Sequence, residues 1–129
     1  MESNVAFDSG EWTGFPHHSQ MSIDLDDLRP KDKVVIRTLN NTYRFMITDP
    51  ARRQGVLTGG AIGNSTRDAV LIESFDGEGV ERVQSSHELR TGARLLFYLS
   101  SARGAERMAT SIIQELGVIR TEQELPKIV

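Results

Sequence analysis

The chain has 129 residues, of which 38% are hydrophobic and 26% charged, with a formal net charge of -3 at pH 7. That length suits one compact domain with loose ends, and the slight acidity argues against a general affinity for nucleic acid or for an anionic membrane surface. Cysteine is absent, which excludes disulfides, thiolate metal sites and cysteine nucleophiles and suits a reducing compartment. No apolar run approaches the roughly 20 residues that a bilayer demands, and residues 1–20 lack the basic start and apolar centre of a secretory signal. The expectation is a soluble, cytoplasmic protein with no membrane partner.

Residues 1–21 combine Ser, Asn, Gly, Pro and His with isolated Val5, Phe7, Trp12 and Phe15. Neither helical nor strand periodicity is present, so the segment reads as a flexible or peripheral N-terminal arm. Its rings either dock on the domain's own surface or engage another chain. The domain itself is expected over 22–119, with 120–129 as a polar C-terminal tail.

Pro30, within Arg29-Pro30-Lys31-Asp32, forbids a helix running through it and delivers the chain into the first strong strand. Residues 33–39 and 42–48 are β-rich runs separated by Asn40-Asn41, the pattern of a β-hairpin. With both asparagines in the turn, Ile36 faces Phe45, Val34 faces Ile47 and Arg37 faces Arg44, which leaves one apolar face. Turn chemistry from Asp49 to Gly55 leads to a third strand at 56–58, and Gly59-Gly60 marks a bulge or a sharp corner. A loop over 61–68 precedes a fourth strand at 69–73.

Asp76-Gly77-Glu78-Gly79 is another turn, followed by a short helix or strand around 80–83. Residues 93–99 form a nearly continuous apolar run, expected as a strand buried on both faces. The segment 101–116 supports two readings. Ala105, Met108, Ala109, Ile112, Ile113 and Leu116 lie at helical spacing, with Ser101 as a cap and Gly117 as a stop. Alternatively, a turn at Ser101-Ala102-Arg103-Gly104 lets 107–113 pair antiparallel with 95–99.

The order of these features carries a resemblance. A turn at Lys31-Asp32-Lys33 opens the strand at 34–38, an Asn-rich turn precedes Tyr43-Arg44-Phe45, and a Gly59-Gly60 corner follows. Gly92-Ala93-Arg94-Leu95 then leads to Thr110-Ser111-Ile112. Over roughly 28–116 this resembles a group of uncharacterised bacterial β-barrel domains. The resemblance implies a strand at Thr110-Ser111-Ile112 and supplies no catalytic residue. The expected fold is mainly β: a small, partly open barrel of about five or six antiparallel strands, with a C-terminal helix as the alternative.

Opposed guanidiniums at Arg37 and Arg44 disfavour strand pairing by up to about 1 kcal/mol unless something offsets them. With Arg52 and Arg53 they form the candidate site for an anion or a partner. The plainer reading is neutralisation by neighbouring carboxylates on a solvated face. Val35 and Met46, beside them, are the candidate interface. The glycine-rich stretch from Gly59 to Thr66 lacks the lysine and the following helix of a phosphate loop. His17-His18 with Asp24, Asp26 and Asp27 has no evident scaffold, and His87 has only Glu88 beside it, so neither a metal nor a cofactor is expected.

No serine has the strained turn, base and orienting acid of a nucleophile, so no catalytic residue is assigned. The leading expectation is a non-catalytic binding or assembly module, acting on a protein partner or as a homo-oligomer. Two alternatives stand beside it. One is a single-stranded nucleic-acid binder using Arg37, Arg44, Tyr43 and Tyr98; the net charge disfavours it. The other is a small-ligand or enzymatic domain with a pocket between the glycine-rich loop and residues 76–90.

Overall fold

A computed structural model describes residues 19–63, 65–76 and 87–120. In chain order its strands are β1 (Ser22–Asp24), β2 (Lys33–Thr38), β3 (Thr42–Asp49), β4 (Gln54–Gly59), β5 (Thr66–Asp76), β6 (Glu88–Arg90), β7 (Ala93–Ser101), β8 (Gly104–Ala109) and β9 (Ile113–Ile119). Short 3-10 turns at Leu25–Asp27, Pro50–Arg52 and Gly60–Ile62 punctuate them. Among the described residues there is no α-helix, and no helix is long and apolar enough to cross a membrane. The expected turn at 76–79 and the element at 80–83 fall mostly outside the described residues, as do most of the N-terminal arm and residues 121–129.

All pairing is antiparallel. Seven strands form one sheet in the order β8-β7-β5-β4-β3-β2-β9, and β1 pairs with β6 in a second, two-stranded sheet. The nine strands exceed the five or six expected, because 101–116 supplies two strands rather than a helix and the short pair β1–β6 adds two more; Thr110-Ser111-Ile112, expected as a strand, is instead the corner between β8 and β9. Gly104, at φ 118°, and a turn stabilised by Arg103 N–H donating to Ser101 Oγ at 3.3 Å reverse the chain after β7. Pairing of β8 with β7 and of β9 with β2 then overrides the helical stripe. Of the stripe residues, Ala105 and Ala109 end exposed on β8, whereas Ile113 and Leu116 are buried on β9.

The two sheet edges, β8 and β9, are consecutive in the chain. A link from Ala109 to Ile113 reaches at most about 14 Å, yet opposite edges of a flat seven-stranded sheet lie about 29 Å apart. The sheet must therefore curl until its edges approach. Two contacts show the approach: Gly92 N–H donates to the Ile113 carbonyl at 2.9 Å, and Phe45 on β3 meets Phe97 on β7 edge to face with centroids 5.2 Å apart, although β4 and β5 intervene. No continuous hydrogen-bond ladder joins β8 to β9 among the described residues.

Inside the curl lie Val34, Ile36, Tyr43, Phe45, Ile47, Leu57, Ala69, Leu71, Leu95, Phe97, Leu99, Ile113 and Leu116. Ile23, Leu25, Leu28 and Leu89, from the small sheet and the turn after β1, join the same core. Burial alternates along β7, with Ala93, Leu95, Phe97 and Leu99 inside, so only one face of that strand is fully buried, contrary to the expectation from its apolar run. Leu96 on its other face is only half-buried, since a curled sheet has one interior.

The β2–β3 register also differs from expectation. Arg37 pairs with Thr42, Val35 with Arg44 and Val34 with Phe45. The turn is centred on Leu39-Asn40 rather than Asn40-Asn41: Thr38 N–H donates to the Asn41 carbonyl at 2.7 Å, and the Thr38 hydroxyl accepts from Asn41 N–H at 3.1 Å. Moving the turn by one position slides the partner strand by two, so every side chain keeps its face while every cross-strand partner changes. Arg37 and Arg44 are therefore not opposed.

Candidate partner-binding edge and groove

The four arginines singled out by sequence are not gathered into one site. Arg37 lies near the β2–β3 turn, where its Nε donates to Glu115 Oε1 at 2.7 Å across the β2–β9 ladder. Arg44 points along the outer face, with its Nη1 close enough to Gly59 that a Cβ there would sit 3.2 Å away. Arg52 and Arg53 stand at the other end of β3. Arg52 lies 3.8 Å from Asp49, and Arg53 donates to the Pro50 carbonyl at 3.1 Å and to Asp26 Oδ1 at 3.3 Å.

Arg53 has a structural task. It takes the left-handed conformation at φ 57°, its carbonyl accepts from Leu71 N–H at 2.9 Å, and its side chain is only 16% exposed. It thereby ties the β3–β4 turn to β5 and to the turn after β1.

Of the interface pair, Val35 is 1% exposed and offers no surface, while Met46 is half-buried. Its neighbours in register, Arg44 and Gly117, flank Val35 on the outer face. Tyr43 is 2% exposed, its ring packed against Gly60 in the interior. That removes one of the two rings from the nucleic-acid reading and leaves Tyr98, 41% exposed. His87, read as isolated, has Nδ1 3.7 Å from Asp26 Oδ2. No group of three or more potential metal ligands forms among the described residues.

Sequence reasoning missed the relationship between the two edges of the large sheet. Along β9 the outer edge is partly occupied: Gln20 N–H donates to the Leu116 carbonyl at 2.8 Å, and Gly92 N–H bonds the Ile113 carbonyl. Along β8, among the described residues, only β7 is paired. Five of its six residues are exposed, Met108 being the partial exception. Such a strand presents unpaired backbone donors and acceptors to a second extended chain.

Beside β8 lies an open groove of about 460 Å³, lined by residues of β4, β5, β7 and β8 that include Gln54, Asp68, Val70, Tyr98, Ser100 and Ala105. Register explains the convergence. Val70 pairs with both Gln54 and Tyr98, and Tyr98 pairs with Arg107, so the row runs across four strands on the outer face. The signal in the sequence was the lone tyrosine within 93–99, on the face opposite Leu95 and Phe97. The small-ligand reading placed its pocket by residues 76–90, most of which lie outside the described residues.

An antiparallel β protein whose β8 edge pairs only with β7 among the described residues, with an open groove beside it, is the class that fold and surface define. No family model, curated protein or solved structure shows significant similarity to this chain.

Proposed function

We propose that this protein is a non-catalytic binding module whose curled sheet acts as a small, partly open barrel, and that it receives an extended segment of a partner protein along β8. The observation carrying this reading is the asymmetry of the edges: β9 is partly covered by residues 20 and 92, while β8 is exposed and pairs only with β7 among the described residues. Addition of a strand to such an edge supplies affinity through main-chain hydrogen bonds, and a neighbouring groove supplies selectivity through alternate side chains.

A second copy of the chain fits this edge less well than a different partner does. Two-fold antiparallel pairing preserves the faces of the sheet, so the central residue must oppose its own copy. Overlap along most of β8 centres on Glu106 or Arg107, and either choice sets like charges opposite each other.

Selection of displayed six-residue peptides, matching the length of β8, tests the reading. The expected binders shift the backbone amides of β8 in NMR spectra and lose binding when alternate peptide nitrogens are methylated. Binders that perturb only residues remote from β8 overturn it. So does the absence of any binder from a chain that stays monomeric in sedimentation up to millimolar concentration.

A further inference from the structure

A strand laid against β8 meets two sets of side chains, one on each face of the sheet. Glu106 and Met108 form the first set, while Ala105, Arg107 and Ala109 share the outer face, where Arg107 stands opposite Tyr98 of β7. Met108 packs against the core, and Glu106 Oε1 accepts from Arg67 Nη2 at 3.0 Å. The charge left over on β8 is that of Arg107.

Among the described residues the Arg107 side chain makes no hydrogen bond or ion pair. Ala105 and Ala109 flank it on the strand, and the residues opposite these three on β7 are Ser100, Tyr98 and Leu96, none of them charged. Asp68 lies two strands away on β5 and forms no ion pair with it. Arg103, exposed in the turn that opens β8, also has no hydrogen bond or ion pair through its side chain. The edge is therefore locally basic, in a chain whose net charge is -3.

A strand added antiparallel to β8 sets one residue directly opposite Arg107, with Cβ atoms about 4.5–5.5 Å apart and no strand between them. We infer that the partner segment is acidic at that position, carrying Glu or Asp opposite Arg107; this rests on the edge-pairing reading above and adds the chemistry of the partner. A carboxylate there gives the guanidinium the charged acceptor that it lacks within the chain. Lysine or arginine at the same position meets a like charge and is disfavoured.

The test titrates the full chain, followed by NMR, with acetyl-Thr-Val-Glu-Val-Thr-amide and with its glutamine and lysine analogues at the central position. The glutamate peptide is expected to shift the β8 amides and the Arg107 Nε–H resonance and to bind about threefold more tightly than the glutamine peptide at low salt. The lysine peptide binds most weakly, and added salt narrows the differences. A general attraction to the net negative chain gives the opposite order. Arg107→Gln brings the three affinities together while the β8 shifts persist, and Arg107→Glu turns the preference toward lysine. Equal affinity of the glutamate and glutamine peptides, with β8 shifts intact, overturns the acidic preference and leaves the edge reading standing. A glutamate preference that survives Arg107→Gln belongs to another residue and overturns the inference as well. Amides of β8 unmoved by all three peptides at millimolar concentration overturn the edge reading and the inference with it.

Discussion

The Ser111 hydroxyl donates to the Thr38 hydroxyl at 2.9 Å, joining residues 73 positions apart in the chain. Thr38 closes the β2–β3 turn and Ser111 lies in the corner between β8 and β9, so this bond fastens the turn to the place where the sheet edges meet. Around it, Leu39 N–H donates to the Ile112 carbonyl at 2.9 Å and Asn40 N–H to Ser111 Oγ at 3.3 Å. The position of the hairpin turn is thus set by the corner as much as by the turn's own residues.

Thr38→Val and Ser111→Ala should each cost about 1 kcal/mol in urea unfolding, with a coupling of about 0.5–1 kcal/mol in the double mutant. Thr38 is 3% exposed, which favours the upper end for its replacement. Strictly additive losses would show that the two hydroxyls do not act together.

Thr110 holds the same corner from inside. Its Oγ1 accepts from Leu95 N–H at 3.1 Å and donates to the Ser111 carbonyl at 2.8 Å, and the residue is 3% exposed. Thr110→Val preserves the shape but leaves a buried backbone N–H without its partner, an expected loss of about 1–3 kcal/mol. Thr110→Ser should recover most of it; equal stability of the valine variant and the parent contradicts the assigned bonds.

Gly55 on β4 is packed directly against Phe45 and Met46 of the neighbouring strand β3. A Cβ there would collide with the Met46 carbonyl and sit 2.7 Å from Cε1 of Phe45. Because a backbone carbonyl cannot swing aside as a long side chain can, Gly55→Ala should cost at least about 3 kcal/mol. At Gly63, φ 71°, nothing lies within 4 Å of such a Cβ, so Gly63→Ala carries conformational strain alone, about 1–3 kcal/mol. Thermal unfolding of the two variants gives the comparison, and the reverse order of stability contradicts the packing described.

Arginines that look alike in sequence should differ in stability measurements. The Arg37–Glu115 pair has side-chain exposures of 49% and 36%, so Arg37→Ala should change stability by less than about 1 kcal/mol. Arg53→Ala removes bonds to Pro50 and Asp26 from a side chain that is 16% exposed, at an expected cost of about 1–2 kcal/mol. Matching effects would place both on equivalent surfaces.

Much of the architecture can be read from residue order, because strand periodicity is local. Alternation from Val34 to Ile47 marks the hairpin and its buried face, and Pro30, Gly59 and Gly104 mark breaks that the structure keeps. Leu95, Phe97 and Leu99 likewise occupy the core. The same reading placed arginines 37 and 44 opposite each other, because the hydroxyl that shifts the turn receives its partner from Ser111, far along the chain.

Residue type and spacing by themselves determine an antiparallel β protein without cysteine chemistry, its hairpin and which side chains of that hairpin point inward. Tertiary structure alone decides that 101–116 divides between two sheet edges, that Val35 and Tyr43 are buried, and that Asp68, Val70 and Tyr98 share a groove beside β8. The physical reason is range. Side-chain alternation arises from the geometry of neighbouring residues, whereas curl, edge exposure and the charge facing a groove arise from strands brought together across most of the chain.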